Sequence, residues 1–272
     1  MEYKVKAITP LEAAEILIDR NKSNRNVLHN RVHQYSRDML AGKWTTNGDP
    51  IRFDKDDNLV DGQHRLHAIV ESSTTQEFII ITGLDHDAIY TIDTGKARNG
   101  GDVLAIDAGV PAKLAQTYSA ALKVFGFYRA RGKFPTGGGH AQTNSEVSDL
   151  YHENHQLLTQ TADWLLEAQK GQIVLLNKGK LLALAMIFAD INENDAFDFI
   201  IPIITGAGLE AGTTQKHLRD VLIKDKSKAA SYSQTVILNT FVKCWNSYRA
   251  GRNISLQGNV LWRTTMPQPI AK

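Results

Sequence analysis

One stretch, where a short apolar strand runs through a single glycine into an amphipathic helix, constrains this chain most. Leu59-Val60 ends the predicted strand, and Asp61-Gly-Gln-His-Arg65 leads into a helix with apolar residues at helical spacing. The first turn of a helix leaves backbone N–H groups without partners and carries a partial positive charge. A strand–glycine–helix junction of this kind is therefore a candidate anion site.

The residue types at this junction suit phosphate. Gly62 lets the backbone approach a ligand without a Cβ in the way, and Arg65 offers a planar pair of donors to phosphate oxygens. Leu66, Ile69 and Val70 follow helical spacing and are predicted to face the core, so we expect the end of the helix that carries Gln63 and His64 to face outward. The simpler alternative is an ordinary strand-to-helix turn with solvated polar side chains.

The segment Asp61-Gly-Gln-His-Arg65 resembles the signature of the ParB/sulfiredoxin superfamily, in its DGQHR branch of phage ParB-like and DndB-like proteins. The resemblance covers the stretch from Tyr3 to Asp102. It implies a small α+β domain that holds nucleotide phosphates with a G-x-x-R turn at a helix N-terminus. Sulfiredoxin chemistry uses a cysteine inside this signature, and Gln63 occupies that position here, so reductase activity is not expected.

The resemblance also suggests roles for the side chains. Related free-serine kinases carry a D-G-x-H-R turn with an acidic base, which makes Asp61 the candidate base here. Mg²⁺ needs only one or two carboxylates beside its substrate's phosphates, and Asp61 with Asp93 could supply them. The predicted catalytic residues are Asp61, His64 and Asp93, the predicted metal ligands are Asp61 and Asp93, and the predicted nucleotide-binding residues are Gly62, Gln63, His64, Arg65, Thr94 and Arg98.

A second polar turn, from Ile92 to Arg98, contains three of these predicted site residues: Asp93, Thr94 and Arg98. Asp93 could orient an attacking group, Thr94 could donate to phosphate, and Arg98 could neutralise charge. The alternative is that Asp93 and Thr94 cap the helix predicted over Asn99–Asp107. Two histidine pairs at helical spacing, His64 with His67 and His29 with His33, lack the partners of a recognisable zinc site.

Composition narrows the class of protein. Hydrophobic content of 42% and charged content of 22% are ordinary for a globular chain, and the net charge of +2 gives no sign of non-specific nucleic-acid binding. Because Cys244 is the single cysteine, the chain cannot form an internal disulfide. We predict that Cys244 is a buried packing residue. Because the sequence shows neither a secretion signal nor an apolar run that could span a bilayer, we expect a cytoplasmic protein without a membrane partner.

The pattern of elements changes near residue 105. Strand, helix pair, hairpin, helix and strand occupy residues 1–104, the predicted nucleotide-binding domain, and long helical periodicities fill residues 105–272. Thr9-Pro10 predicts the cap and first turn of the first helix. The fold class predicted is thus α+β, with a ParB/sulfiredoxin-like domain followed by a mainly α-helical domain.

In the helical half, the polar residues are dispersed and form no recognisable catalytic motif. We therefore expect this half to complete the pocket and to bind partners. Its basic residues gather in two places, with Phe127 and Tyr128 near the first to stack on bases. The two groups are Lys123, Arg129, Arg131 and Lys133, and Lys216, Arg219, Lys224, Lys226 and Lys228. DNA contact and self-association remain open, and solvated helix faces are the alternative. A helix-turn-helix domain, which partition-type ParB proteins carry, is not evident.

Together these features predict a protein that binds a nucleoside triphosphate or diphosphate with Mg²⁺. Nucleotide hydrolysis is the first interpretation, and the resemblance to phage ParB-like and DndB-like proteins implies a phage or DNA-modification-linked process. One alternative is a nucleotide-dependent small-molecule kinase. Another is a non-catalytic DNA-binding protein that a nucleotide switches between conformations.

Overall fold

The computed structural model of the protein describes residues 1–22, 24, 26–85, 88, 92, 98–135, 142–224 and 234–254. The chain divides into two compact units. Unit 1 comprises Met1–Arg98 and Gly138–Ser145, and unit 2 comprises Asn99–Gly137 and Glu146–Lys272.

The described residues of unit 1 form four strands and three helices. In chain order they are β1 (Glu2–Ile8), α1 (Pro10–Asp19), α2 (His29–Leu40), β2 (Ile51–Asp54), β3 (Leu59–Asp61), α3 (Gln63–Ser72) and β4 (Gln76–Leu84). The strands form one mixed sheet in the order β1-β4-β2-β3. β4 is antiparallel to β1 and parallel to β2, and β3 is antiparallel to β2.

Local sequence explains where these elements begin and what they bury. The Thr9 side chain accepts a hydrogen bond from the backbone N–H of Glu12 at 3.2 Å, and Pro10 is the first residue of α1, which confirms the predicted start of that helix. Apolar residues from the strands and from all three helices then form one core, whose members include Ile8, Ile16, Val32, Ile51, Phe53, Leu66, Ile69 and Phe78.

Seven helices follow residue 98 in the described part of the chain. They are α4 (Gly100–Asp107), α5 (Ala112–Arg131), α6 (Asn144–Ala168), α7 (Lys178–Ala189), α8 (Glu193–Thr205), α9 (Thr214–Lys224) and α10 (Gln234–Arg249). All residues of α7 from Leu181 to Phe188 are buried, as expected for a helix that is apolar all round and central to a helical core. The ring of Phe188 stacks on Trp245 with centroids 4.4 Å apart.

The four strands lie in unit 1 and unit 2 is helical where the structure describes it, so the chain has the α+β fold class that the sequence predicts. The chain passes from unit 1 to unit 2 between Arg98 and Asn99, whereas the boundary predicted at residue 104 falls inside α4. No helix in the described ranges has the length and apolar composition needed to cross a lipid bilayer.

Candidate functional site

Gly62 forms the junction between β3 and α3 in a conformation that favours glycine. It is the N-cap of α3 with φ of 111° and ψ of 0°, and it supplies no side chain to cap the helix. A Cβ built on it would lie 3.0 Å from Ile51 Cγ1 and 3.3 Å from the Cα of Ile51. The glycine is therefore required first by the close packing of the α3 start on β2, whatever ligand the turn binds.

Asp61 and Arg65, the first and last residues of the signature, bind each other. The Nη2 atom of Arg65 donates to Asp61 Oδ2 at 2.8 Å, across one turn at the start of α3. Arg52 on β2 donates to the same Oδ2 atom through Nη1, because Arg52 lies opposite Asp61 in the β2–β3 pair. Two guanidinium groups thus converge on one carboxylate oxygen, in an environment where all three side chains are at most about a quarter exposed.

Asp61 does not use all the N–H donors of the Arg65 guanidinium group. Its Nη2 atom also donates to the carbonyl oxygen of Pro50 at 2.8 Å, while its buried Nε has no acceptor among the described residues. The carboxylate of Asp49 lies 3.7 Å from Arg65 Nη1, but that side chain is 67% exposed. Only one of the two carboxylates beside these arginines is enclosed, so a bound anion would compete with exposed Asp49 and with Asp61 for the guanidinium donors.

Gln63 and His64 do not face outward as expected. Both side chains are buried, at 4% and 7% exposure, on the side covered by the connection between α1 and α2. The backbone N–H of Leu28 donates to His64 Nε2 at 3.0 Å, which requires the tautomer protonated on Nδ1, and Asn21 Nδ2 lies 3.5 Å from Gln63 Oε1. The expected orientation was wrong because contacts from a distant part of the chain cover this end of the helix.

The second polar turn adds little to the site that the structure describes. Asp93 and Thr94 lie outside the described residues, and Arg98 is exposed. The cap of α4 comes from Asn99, whose side chain accepts from the backbone N–H groups of Gly101 and Asp102. Asp102 completes a capping box, so this helix start needs no cap from Asp93 or Thr94.

The described residues include only part of the predicted magnesium site. Of the two predicted carboxylate ligands, only Asp61 is described, and a divalent ion at its Oδ2 atom would lie beside two guanidinium groups. Within the described ranges, no three side chains of His, Cys, Asp or Glu form a group that could hold a metal ion. His33 instead binds Glu71, with Nδ1 and Oε2 2.8 Å apart.

Arg52 belongs to the site, yet sequence reasoning did not select it. The signal was available in the predicted hairpin, because an antiparallel return from β2 to β3 places a residue of Ile51-Arg-Phe53 opposite Asp61. Pro50 and Asp49 were also overlooked as partners of Arg65. Their involvement depends on the approach of α3 to the start of β2, which has no local sequence pattern.

The helical half does not present the aromatic residues predicted to stack on bases. Phe127 and Tyr128 are 7% and 6% exposed, and Tyr128 packs on Phe134 in the core of unit 2. In the second basic group, Arg219 Nη1 donates to the carbonyl oxygen of Ile204 at the end of α8, and Lys226 and Lys228 lie outside the described residues. The stacking residues were assigned wrongly because amphipathic periodicity does not tell an aromatic side chain of the core from one on the surface.

The described site is therefore a cluster of ion pairs and buried polar contacts around the start of α3. Asp61 could act as a base there only after it leaves both guanidinium groups. Comparisons with protein-family models, with curated proteins and with solved structures each found no match for this chain.

Proposed function

We propose that unit 1 binds a nucleoside triphosphate or diphosphate through its phosphates at the start of α3. The observation that carries the proposal is the convergence of Arg52 and Arg65 on the single carboxylate of Asp61 beside the Gly62 turn. Charged hydrogen bonds to phosphate are among the strongest that a protein side chain makes. The resemblance of Asp61-Gly-Gln-His-Arg65 to the ParB/sulfiredoxin signature supports the same ligand class.

In this proposal the phosphate competes with Asp61. A phosphate oxygen takes over the donors of Arg52 and Arg65, while the buried Nε atom of Arg65 supplies a further donor. The Asp61 carboxylate is released when its two partners turn to the ligand. The exchange keeps both guanidinium groups paired, so neither is left buried without a counter-charge at any stage.

Hydrolysis is the reaction that we propose for the bound nucleotide. The released Asp61 carboxylate orients and deprotonates the attacking water, and the two arginines stabilise the charge that develops on the transferred phosphoryl group. His64 is held by Leu28 and acts in positioning α3 rather than in proton transfer. We link this activity to a phage or DNA-modification process only through the resemblance.

A non-catalytic nucleotide switch is the second candidate, and one observation favours it. Among the described residues of the signature, Asp61 is bonded to two arginines and His64 accepts from a backbone N–H, so neither is poised as a base without ligand. In this interpretation the nucleotide exchanges the ion pairs of Asp61, and the conformational change itself is the output. Turnover by the parent protein decides between the two candidates.

Isothermal calorimetry of the full chain with each common nucleoside di- and triphosphate, with and without Mg²⁺, tests the binding. Arg65→Ala is expected to weaken binding by about 1.5–3 kcal/mol if the charged phosphate contact forms. Lys113→Ala, which removes an exposed charge in unit 2, is the matched control and should bind as the parent does. A folded parent protein that binds none of these nucleotides at millimolar concentration contradicts the proposal.

A further inference from the structure

β1 is an exposed edge of the sheet in unit 1. In the strand order β1-β4-β2-β3 it pairs with β4 alone among the described strands. Six of its seven residues are exposed on both faces, from Glu2 to Ala7. An edge strand of this length presents a row of backbone donors and acceptors that another strand can pair with.

One face of this edge is apolar. Tyr3 and Val5 are 81% and 62% exposed, and they lie directly opposite Ile81 and Ile79 of β4, so the four side chains share a sheet face. The other face of β4 carries Phe78 and Ile80 into the core. The stripe formed by Tyr3, Val5, Ile79 and Ile81 therefore lies on the side of the sheet away from that core.

Exposed apolar side chains of unit 1 concentrate in this part of the chain. Of the eight large apolar residues in described unit 1 that are exposed, five fall within the first eighteen residues, namely Met1, Tyr3, Val5, Leu11 and Ile18. Leu11 and Ile18 are seven residues apart, which places them on one face of α1. Because α1 packs Ala13 and Ile16 into the core, on the opposite side of the sheet from Tyr3 and Val5, Leu11 and Ile18 do not extend the apolar stripe.

The charges on β1 specify which partner fits. Lys6 is paired with Glu12, whereas Glu2 and Lys4 have no ion-pair partner in the described part of the chain. If a second β1 runs antiparallel with Tyr3 opposite itself, Glu2 of each copy lies opposite Lys4 of the other, and Val5 lies opposite Met1. Opposite charges and apolar pairs in directly facing positions stabilise an antiparallel ladder.

We propose that the chain forms a twofold homodimer through antiparallel pairing of β1 with β1 of a second copy, in the register that places Tyr3 opposite Tyr3. The two four-stranded sheets then form one continuous sheet, and the apolar stripes of both copies join across its middle. Shifting the register so that Lys4 faces Lys4 would add a repulsive pair, and Glu2 would then face Lys6, whose charge is already paired with Glu12. The charges therefore favour the register with Tyr3 opposite Tyr3.

Analytical ultracentrifugation of the full chain over a concentration series tests the dimer. The protein should carry any purification tag at its C-terminus, because β1 lies at the other end of the chain. We expect a monomer–dimer equilibrium with a concentration-dependent weight-average mass. A monomer at every concentration, up to the limit of solubility, overturns the proposal, and it is also the outcome expected if Lys4 and Lys6 merely protect the edge.

Charge exchange tests the register. Glu2→Lys and Lys4→Glu each turn two attractive cross-strand pairs into repulsive ones, so each variant alone should raise the dimer dissociation constant by about tenfold or more. Mixing the two variants should restore association as a heterodimer, because each facing pair at these positions then joins a lysine of one variant to a glutamate of the other. Equal association of both single variants and the parent would overturn the register. Circular dichroism should show the same fold in all samples.

Discussion

The backbone N–H of Leu28 donates to His64 Nε2 at 3.0 Å, which ties the residue before α2 to the first turn of α3. His64 is 7% exposed, so its side chain is largely shielded from bulk water. A histidine that sequence reasoning assigns to catalysis thus serves as the acceptor for a helix start that has no side-chain cap.

His64→Ala is expected to lower the free energy of unfolding by about 1–3 kcal/mol, because it leaves the Leu28 N–H without an acceptor and removes a buried side chain. Urea denaturation followed by circular dichroism measures the change. Gln156→Ala, at an exposed position on α6, is the control and should change stability by less than about 0.5 kcal/mol. Unchanged stability with lost nucleotide turnover would instead assign His64 to catalysis.

Asp61→Asn separates the two proposed roles of that carboxylate, which are to pair with the two arginines and to act as the base in hydrolysis. The amide keeps the shape but removes the charge that holds Arg52 and Arg65, so we expect nucleotide affinity to stay equal or rise. If Asp61 is the base, turnover should fall by about 10²-fold or more. Calorimetry and a phosphate-release assay measure the two quantities.

The matched control for this variant is Asp57→Asn. Asp57 lies in the β2–β3 loop, and its carboxylate is also paired with an arginine, Arg20. It should leave both affinity and turnover as in the parent. Weaker nucleotide binding by Asp61→Asn alone would contradict the exchange of Asp61 for phosphate.

Gly62→Ala is expected to destabilise unit 1 by more than the cost of a positive φ, which is about 1–2 kcal/mol. The added methyl group would lie 3.0 Å from Ile51 Cγ1, so Ile51 must move by a few tenths of an ångström. Gly48→Ala is the control, since Gly48 also has a positive φ of 83° but has no atom within 4 Å of the built Cβ. Equal losses in chemical denaturation would show that Ile51 adds nothing.

Stability should depend on pH through His67. Burial, and then the nearby His29, lowers the pKa of His67 from its ordinary value of 6.5. The unfolded chain therefore binds the proton more readily, and the free energy of unfolding falls as pH drops below 6.5 toward the lower native value. His67→Gln should flatten this dependence when urea midpoints are measured above and below that pH, whereas Gln156→Ala, which removes no titratable group, should not.

Cys244 should not react while the protein is folded. It is fully buried, and burial raises the pKa of its thiol to about 12. Because it is the single cysteine of the sequence, labelling by iodoacetamide reports on this site alone. Mass spectrometry should find labelling in urea and almost none in buffer. Equal rates in the two conditions would contradict the burial of α10 in the core.

Local sequence was sufficient for much of the fold. The Thr9-Pro10 cap, the strand predicted after the signature helix and the helical periodicity after residue 105 each correspond to elements that the structure contains, because each depends on neighbours in sequence. The burial of Cys244 was confirmed as well. The order of the strands was not predictable in this way, since the parallel pairing of β2 with β4 joins segments separated by β3 and α3.

The candidate site was predictable only in part, because local sequence indicates contacts between neighbouring residues but not contacts between distant segments. The signature residues Asp61 and Arg65 are one helical turn apart, and their proximity follows from sequence spacing. The partners that determine their chemistry come from elsewhere, with Arg52 from the adjacent strand and Leu28 from the start of α2. Contacts between distant segments therefore decide whether a polar side chain is exposed and able to bind a ligand, or buried and part of the fold's hydrogen bonding.

Residues 142–145 belong to unit 1 although about forty residues of unit 2 precede them in the chain. Thr143 Oγ1 donates to Asp38 Oδ1 at 2.8 Å, and Ser145 Oγ donates to the same oxygen. On the ribosome, unit 1 therefore cannot complete its hydrogen bonds until α4 and α5 have been synthesised. A gene fragment that stops at Arg98 encodes every strand of the sheet yet omits the donors that secure α2, so expression of unit 1 as an isolated domain calls for a circularly permuted or spliced gene.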